Sequence, residues 1–370
     1  MFRYCALFVF TVFLISCQKA EEDGPAGNTE SKDFVSKAAS NLVETQTATF
    51  YKNLFNTYGD GWTGGDGAYS IQLPDGRILW TFGDSFLGTV NPDYTRTGPL
   101  VNNLFVIQDG NEITTLQGGT EENPEAYVKP FGNPNHYYWP GDGLAIGNKV
   151  YMFMLRIRPT GEGGVFGFEH IGTDMAVFSL PDLELIDQYP LARTTEFLMG
   201  VSLLKEGNYV YVYGTRTTLG KTAVAARFDV SDPTSITYWN GTEWGNDFVG
   251  DAYLKRSNGQ DLAVSNQFKV FKYGNSYRFL VQDDFFGAAI KIYQSDSPVG
   301  PWSNPITVYE TPETGAANGD IFTYNAIAHP HIVHPEKGML VTYSVNSFDF
   351  FDLFQDARIY RPRFFWVKPS

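Results

Sequence analysis

Three acidic residues, Asp66, Asp142 and Glu196, each stand shortly before a glycine that divides a pair of apolar segments. Asp66 lies ten residues ahead of Gly76, Glu196 eleven ahead of Gly207, and Asp142 only five ahead of Gly147. Carboxylates gathered in one place suit acid/base chemistry, because one can hold a proton while its neighbour has lost it. Other polar residues sit at matching points. Asn266-Gln267 and Asn325 with His329 precede later segments, while Asp84, Arg156 and Arg158, Arg216, Asp283-Asp284 and Asn346 follow them. Any one of these alone could be a solvated turn. Acids recurring ahead of three successive segments, flanked by apolar residues or Gly, carry more weight.

The elements that must position them form an internal repeat. Five stretches share one pattern of apolar strand, glycine turn and second strand rich in aromatic and β-branched residues: 70–82, 143–153, 202–212, 268–279 and 331–343. The turn glycines Gly76, Gly147, Gly207, Gly274 and Gly338 are 71, 60, 67 and 64 residues apart. Each stretch reads as a hairpin. A further strand follows each, at 102–108, 175–180, 223–230, 288–294 and 357–366. A period near 65 residues with three or four strands per copy predicts an all-β, five-bladed β-propeller over residues 51–370. Converging inner strands would then bring distant polar residues to one face. A β-sandwich of hairpins gives no reason for five regular copies.

Composition agrees. Of 370 residues, 43% are apolar and 18% charged, which excludes a disordered chain. The 37 Gly and 20 Pro suit many short strands and turns better than long helices. A net charge of −14 repels a polyanion, so nucleic acid is excluded as a partner. Both Cys lie in the first seventeen residues, so neither a disulfide framework nor a Cys-rich zinc site is expected.

Those first residues read as an address. Met1-Phe2-Arg3 precedes an apolar run through Ile15, too short to span a bilayer comfortably and suited to a signal peptide over residues 1–16. Leu14-Ile15-Ser16-Cys17 resembles a bacterial lipobox, with Cys17 the lipidated first residue. The acidic stretch after it resembles the surface-export signal of Bacteroidota lipoproteins. Residues 17–50 read as a flexible tether with a short helix around 34–43. The expectation is an outer-membrane lipoprotein facing the cell exterior, held to the membrane by lipid at Cys17.

Five copies with acids ahead of the first three resemble the five-bladed propeller glycoside hydrolases, which include arabinanases, arabinofuranosidases and fructosidases. The stretch Ser295-Asp-Ser-Pro-Val-Gly-Pro-Trp302 is similar to a blade-closing phrase of that superfamily. Gly64–Ser70, Leu79–Ser85, Trp139–Gly143 and Tyr324–Pro330 look like a bacterial branch once labelled only as uncharacterised propeller domains, some of whose members are endo-D-arabinanases. The similarity spans about residues 55–368. It implies Asp66 as base or nucleophile, Asp142 as an orienting acid (with Asp84 able to replace it) and Glu196 as general acid. It also implies sugar binding by Asp84, Arg156, Arg216, Asn266, Gln267, Asp283, Asn325 and His329. Trp139, Tyr138 or Trp62 would offer a stacking face, against core packing as the plainer role for each aromatic. No cofactor is required, although a structural Ca²⁺ on the propeller axis would fit the superfamily.

Other motifs lead elsewhere. Gly83-Asp84-Ser85 resembles a lipolytic nucleophile motif, but no His has Asp three positions earlier and the chain does not alternate α with β. His329-Pro-His331-Ile-Val-His334 invites zinc, yet on a strand His334 would point away from the other two. No metal site is therefore assigned. The expected activity is cleavage of a furanose-containing polysaccharide, with D-arabinan the specific choice. The rival is a glycan-binding surface lipoprotein that performs no chemistry.

Overall fold

The computed structural model describes residues 43–162, 166–192, 196–216, 221–249, 252–284 and 286–368, all within one compact unit. The expected signal peptide, Cys17 and the helix around 34–43 lie outside the described residues, apart from Val43. Strands dominate, with two short helices, α1 (Thr49–Leu54) and α2 (Asp352–Gln355).

Five antiparallel sheets follow one another along the chain, each built by neighbouring strands in order. Sheet I comprises Tyr69–Gln72, Ile78–Phe82, Leu104–Asp109 and Glu112–Leu116. Sheet II comprises Tyr137–Ile146, Lys149–Pro159, Phe168–Ser179 and Leu185–Ala192. Sheet III contains Phe197–Glu206, Tyr209–Arg216, Ala223–Asp229 and Asp232–Trp239, with a short fifth strand, Trp244–Gly245. Sheet IV contains Phe268–Tyr273, Ser276–Gln282, Ala289–Ser295 and Ile306–Glu310. In sheet V, Ile321–His334, Gly338–Ser347 and Arg363–Val367 are joined by Thr45–Thr47 from the other end of the chain. The five expected hairpins are the first two strands of these sheets. Their turn glycines all adopt left-handed backbone, with φ of 95°, 59°, 59°, 61° and 91°, a conformation a Cβ disfavours.

Each first strand packs against the next, and that of sheet V packs against that of sheet I, so the five close a ring. The apolar core is divided accordingly. Ile71, Phe105, Met152 and Phe178 fill the space between sheets I and II, and Phe153, Met175, Phe197 and Val212 that between II and III. Val201, Tyr213, Phe268, Phe279 and Trp302 belong to the cluster joining III and IV, and Leu280, Ile290, Val341 and Phe365 to that joining IV and V. Trp80, Leu104, Leu340 and Phe364 close the last interface, with Tyr51 and Phe55 wedged in beside them.

That wedge corrects the expected tether, which should have run to residue 50. Thr45 faces Val367 and Thr47 faces Phe365, making this polar stretch the outer strand of sheet V, and α1 follows directly. Gln46 and Thr47 are exposed. An outer strand that buries little has the composition of a linker.

Polar groups stitch the first strands together where apolar packing cannot. Asp142, fully buried at a register break in sheet II, accepts a hydrogen bond from the Leu203 N–H of sheet III at 2.7 Å and pairs with Lys269 of sheet IV. The Ser202 hydroxyl accepts from Val270 N at 2.9 Å, and Tyr69 donates to the Val201 carbonyl at 2.9 Å. Breaking a buried ion pair from one side strands a charge and costs roughly 3–5 kcal/mol. Lys269→Met should lower the urea midpoint by a corresponding amount, and adding Asp142→Asn should recover most of it. An unchanged midpoint in the single variant would mean that the pair does not hold the ring.

Candidate active site

Asp66 and Asp84 are brought together by local chain geometry. A small three-stranded sheet (Trp62–Gly65, Ser85–Leu87 and Leu100–Val101) lies beside sheet I, and the chain crosses between the two sheets twice. Gly65 faces Ser85 in the small sheet, and Tyr69 faces Thr81 in sheet I. The acids occupy the gap from opposite sides, with Gly83 N donating to the Asp66 carbonyl at 2.9 Å. The close approach depends on Gly83, since a Cβ there would stand 2.7 Å from Asp66 Oδ1.

Other elements complete the setting. Tyr324 donates its phenol to Asp66 Oδ2 at 2.5 Å and accepts from Asn346 Nδ2 at 3.1 Å. It sits where the first strand of sheet V breaks register, next to Asn325 at φ 56°, a left-handed conformation that Asn tolerates better than most residues. Tyr360 lines the cleft with Asp66, and its phenol favours the Asp66 anion. Its chain segment is fixed by buried Arg96, which donates to the carbonyls of Leu353 (3.2 Å), Ala357 (3.0 Å) and Thr63 (3.0 Å). Asp84 accepts from Trp139 Nε1 at 2.9 Å and Asn102 Nδ2 at 3.1 Å.

These surroundings separate the two acids electrostatically. Desolvation, and secondly the Asp84 charge, push the Asp66 carboxyl up to about 7, against the opposing phenols of Tyr324 and Tyr360. Desolvation also raises Asp84, opposed by its Trp139 and Asn102 donors, which favour the charged form. A carboxyl poised near neutrality beside a second carboxylate can exchange a proton with a bound ligand.

The pair opens into a cleft of about 1060 Å³ lined from all five sheets or their connections. Asp66, Asp84, Trp139, Asn266, Gln267 and Asn325 line it, as does Asn346. Lys221, whose ammonium burial lowers to about 8, lines the same wall and donates to Asn266 Oδ1.

Other expected site residues lie elsewhere. Asp142 is outside the cleft lining and committed to Lys269 and Leu203, so the structure does not give it the orienting position. Glu196 is exposed and also outside the lining. Arg156 is buried against Asp174 at 2.6 Å, Arg216 donates to the Tyr253 hydroxyl at 2.8 Å, and Asp283 pairs with Lys291 at 2.6 Å. None of these three lines the cleft. Each has found a nearby partner, which spacing along the chain could not show. Trp62 and Tyr138 are buried, leaving Trp139 as the accessible ring of the three.

The histidines hold sheets together. His329 Nδ1 lies 2.5 Å from Ser70 Oγ and its Nε2 2.9 Å from Thr342 Oγ1, while His331 Nε2 lies 3.2 Å from the same serine. His334 points elsewhere, accepting from Glu336 N at 3.2 Å. Among the described residues no three His, Cys, Asp or Glu form a metal-binding group.

Tyr324, Tyr360, Asn102 and Lys221 were not expected at the site. Tyr324 is adjacent to Asn325, but strand alternation assigns the two to opposite faces, and only the register break brings both to the cleft. Tyr360 and Lys221 belong to irregular connections that carry no periodic signal.

No curated protein matches the chain. Among solved structures, a conjectured hydrolase of Bacteroides ovatus ATCC 8483 superposes with a TM-score of 0.76 at 23% identity, over 87% of this chain and 90% of that one. The two share a fold. More distant likenesses are the GH43_1 enzyme of Xanthomonas citri complexed with xylotriose (TM-score 0.49, 11% identity, 86% and 92% covered) and an N-acetylgalactosamine deacetylase of F. plautii (0.47, 12%, 78% and 84%). A family model described as a domain of unknown function, DUF5005, matches residues 48–369, nearly all of the ring, and the chain belongs to that family.

Proposed function

We propose that this chain is a glycoside hydrolase, its five-sheet ring a five-bladed β-propeller, acting on a furanose-containing polysaccharide, with D-arabinan the specific substrate. The observation that carries this reading is the Asp66 carboxyl, held near neutrality beside Asp84 in a cleft large enough for an oligosaccharide. Glycosidic cleavage needs one protonated and one ionised carboxyl on either side of the bond. The higher proton affinity suits Asp66 as the donor to the departing glycosidic oxygen, in place of the base role that its position suggested. Asp84, with two N–H donors favouring its anion, would then take a proton from water or attack the anomeric carbon. Asn266, Gln267 and Asn346 offer amides to sugar hydroxyls, and Trp139 an aromatic surface.

The rival reading, a glycan-binding lipoprotein without chemistry, draws support from Asp142 and Glu196, which leave the expected set of three acids unassembled. Incubation with a polysaccharide panel that includes D-arabinan separates the two. The enzyme releases oligosaccharides, and Asp66→Asn or Asp84→Asn reduces release by roughly 10²–10⁴-fold while the circular dichroism spectrum is unchanged. Glu196→Gln should retain activity. Tight polysaccharide binding with no release by the parent protein would favour the binder.

Acidity supplies a second check. With Asp66 as proton donor, kcat/KM for the free protein falls as pH rises through about 7. A fall below 7 instead would return Asp66 to the base role. Folding raises the Asp66 pKa from its ordinary 3.8, so its contribution to stability is full below that value and is lost as pH climbs towards about 7. Asp66→Asn escapes this loss, and its melting temperature should gain on the parent between pH 4 and pH 8.

We also propose export and anchoring at the outer membrane through lipidated Cys17. The support is the cationic start, the short apolar run and Leu14-Ile15-Ser16-Cys17. Cys17→Ala should move the protein from the membrane to the soluble fraction; continued membrane retention would count against the anchor.

A further inference from the structure

Four phenylalanines from sheets IV and V and their connections line the cleft together. Phe322 comes from the first strand of sheet V, Phe348 and Phe350 from the connection after Ser347, and Phe286 from the loop between the second and third strands of sheet IV. Phe348 and Phe350 are each 44% exposed, an unfavourable state for large apolar rings unless something covers them.

The ring geometry narrows what that something is. Phe286 and Phe322 are 4.4 Å apart at 58°, Phe322 and Phe348 4.5 Å at 33°, and Phe286 and Phe348 5.5 Å at 89°. Stacking a sugar ring calls for one open, flat face with polar groups at its margin. Rings tilted against one another make instead a bowl of edges and faces, and phenylalanine brings no group to pair with a hydroxyl. The bowl adjoins the acid pair, since Phe322 lies 5.4 Å from the Tyr324 ring whose phenol holds Asp66.

We propose that this bowl is a subsite for an aryl substituent joined to the sugar, seated while the glycosidic bond lies across Asp66 and Asp84. The assignment rests on the reading of the cleft as a site of glycoside hydrolysis, and its test is kept separate from catalysis. The probe is 3-phenyl-1-propanol, which carries the aryl group without a sugar, titrated calorimetrically into the protein. Saturable binding is expected in the parent and in Asp66→Asn, and should weaken roughly ten-fold or more in Phe348→Ala/Phe350→Ala. Phe351→Ala, which removes a ring 63% exposed and outside the cleft lining, serves as the control and should bind as the parent does. Phe350 also stacks on buried Phe86 at 6.3 Å, so the double variant is compared with Phe348→Ala alone, which should weaken the probe as well, and both are checked for an unchanged circular dichroism spectrum. Absence of saturable binding, or equal binding in the double variant, would overturn the subsite. Probe binding intact with no sugar released from any polysaccharide would remove the hydrolase reading and leave the subsite standing.

Discussion

Everything in this molecule depends on closure of the ring. A four-stranded sheet with two apolar faces cannot bury both by itself, and here each sheet does so only by packing between two neighbours. The last interface is completed from both ends of the chain, with Thr45–Thr47 beside Arg363–Val367 and Tyr51 and Phe55 packed below. Losing any one sheet would expose two apolar interfaces, so the ring is a cooperative unit rather than a string of independent hairpins. The first strands carry an additional constraint. Crowded at the middle, they bring backbone groups and charges out of water, and there Asp142 pairs with Lys269, Ser70 with His329, and Ser202 accepts from the Val270 N–H.

The cleft and its paired acids lie at one end of those same strands, for a physical reason. Inside the ring, polar side chains must find partners and become structural, as Asp142 and His329 have. At the strand ends the sheets diverge, leaving a cleft where a polar group can be desolvated by its walls and still reach a ligand. Asp66 occupies that intermediate setting, shielded enough for its proton affinity to rise and partly open to the cleft. The phenol of Tyr324 restrains the rise, and the Arg96 contacts that seat Tyr360 extend this control into the buried body of the protein.

Holding two carboxyls together out of water opposes folding, and the fold offsets it locally with donors from three directions: Tyr324, Trp139 and Asn102. The glycines around the pair belong to the same economy of space. Gly83 has no side chain because Asp66 Oδ1 already occupies that volume, and Gly65 because Ser85 Oγ does. Neither could carry a methyl group without moving an acid or its immediate neighbour.

The repeat itself was legible along the chain, because alternation and turn glycines are local properties: all five hairpins lie where their pattern predicts, and all five glycines take the backbone that only glycine adopts readily. Asp66, Asp84, Asn266 and Gln267 reach the cleft from beside strand ends whose positions follow from that pattern, whereas Trp139 lies within a strand and Asn325 at a register break. What no local pattern contains is partner choice. Asp142 and Glu196 have the same kind of address as Asp66, yet Lys269, more than a hundred residues away, claims the first, and the second faces solvent. Register breaks and irregular connections placed Tyr324 and Tyr360 on Asp66. Sequence thus determined how many sheets make the ring and which of their ends are polar; the three-dimensional packing alone decided which acids become neighbours, because desolvation and pairing act through space between residues that the chain holds far apart.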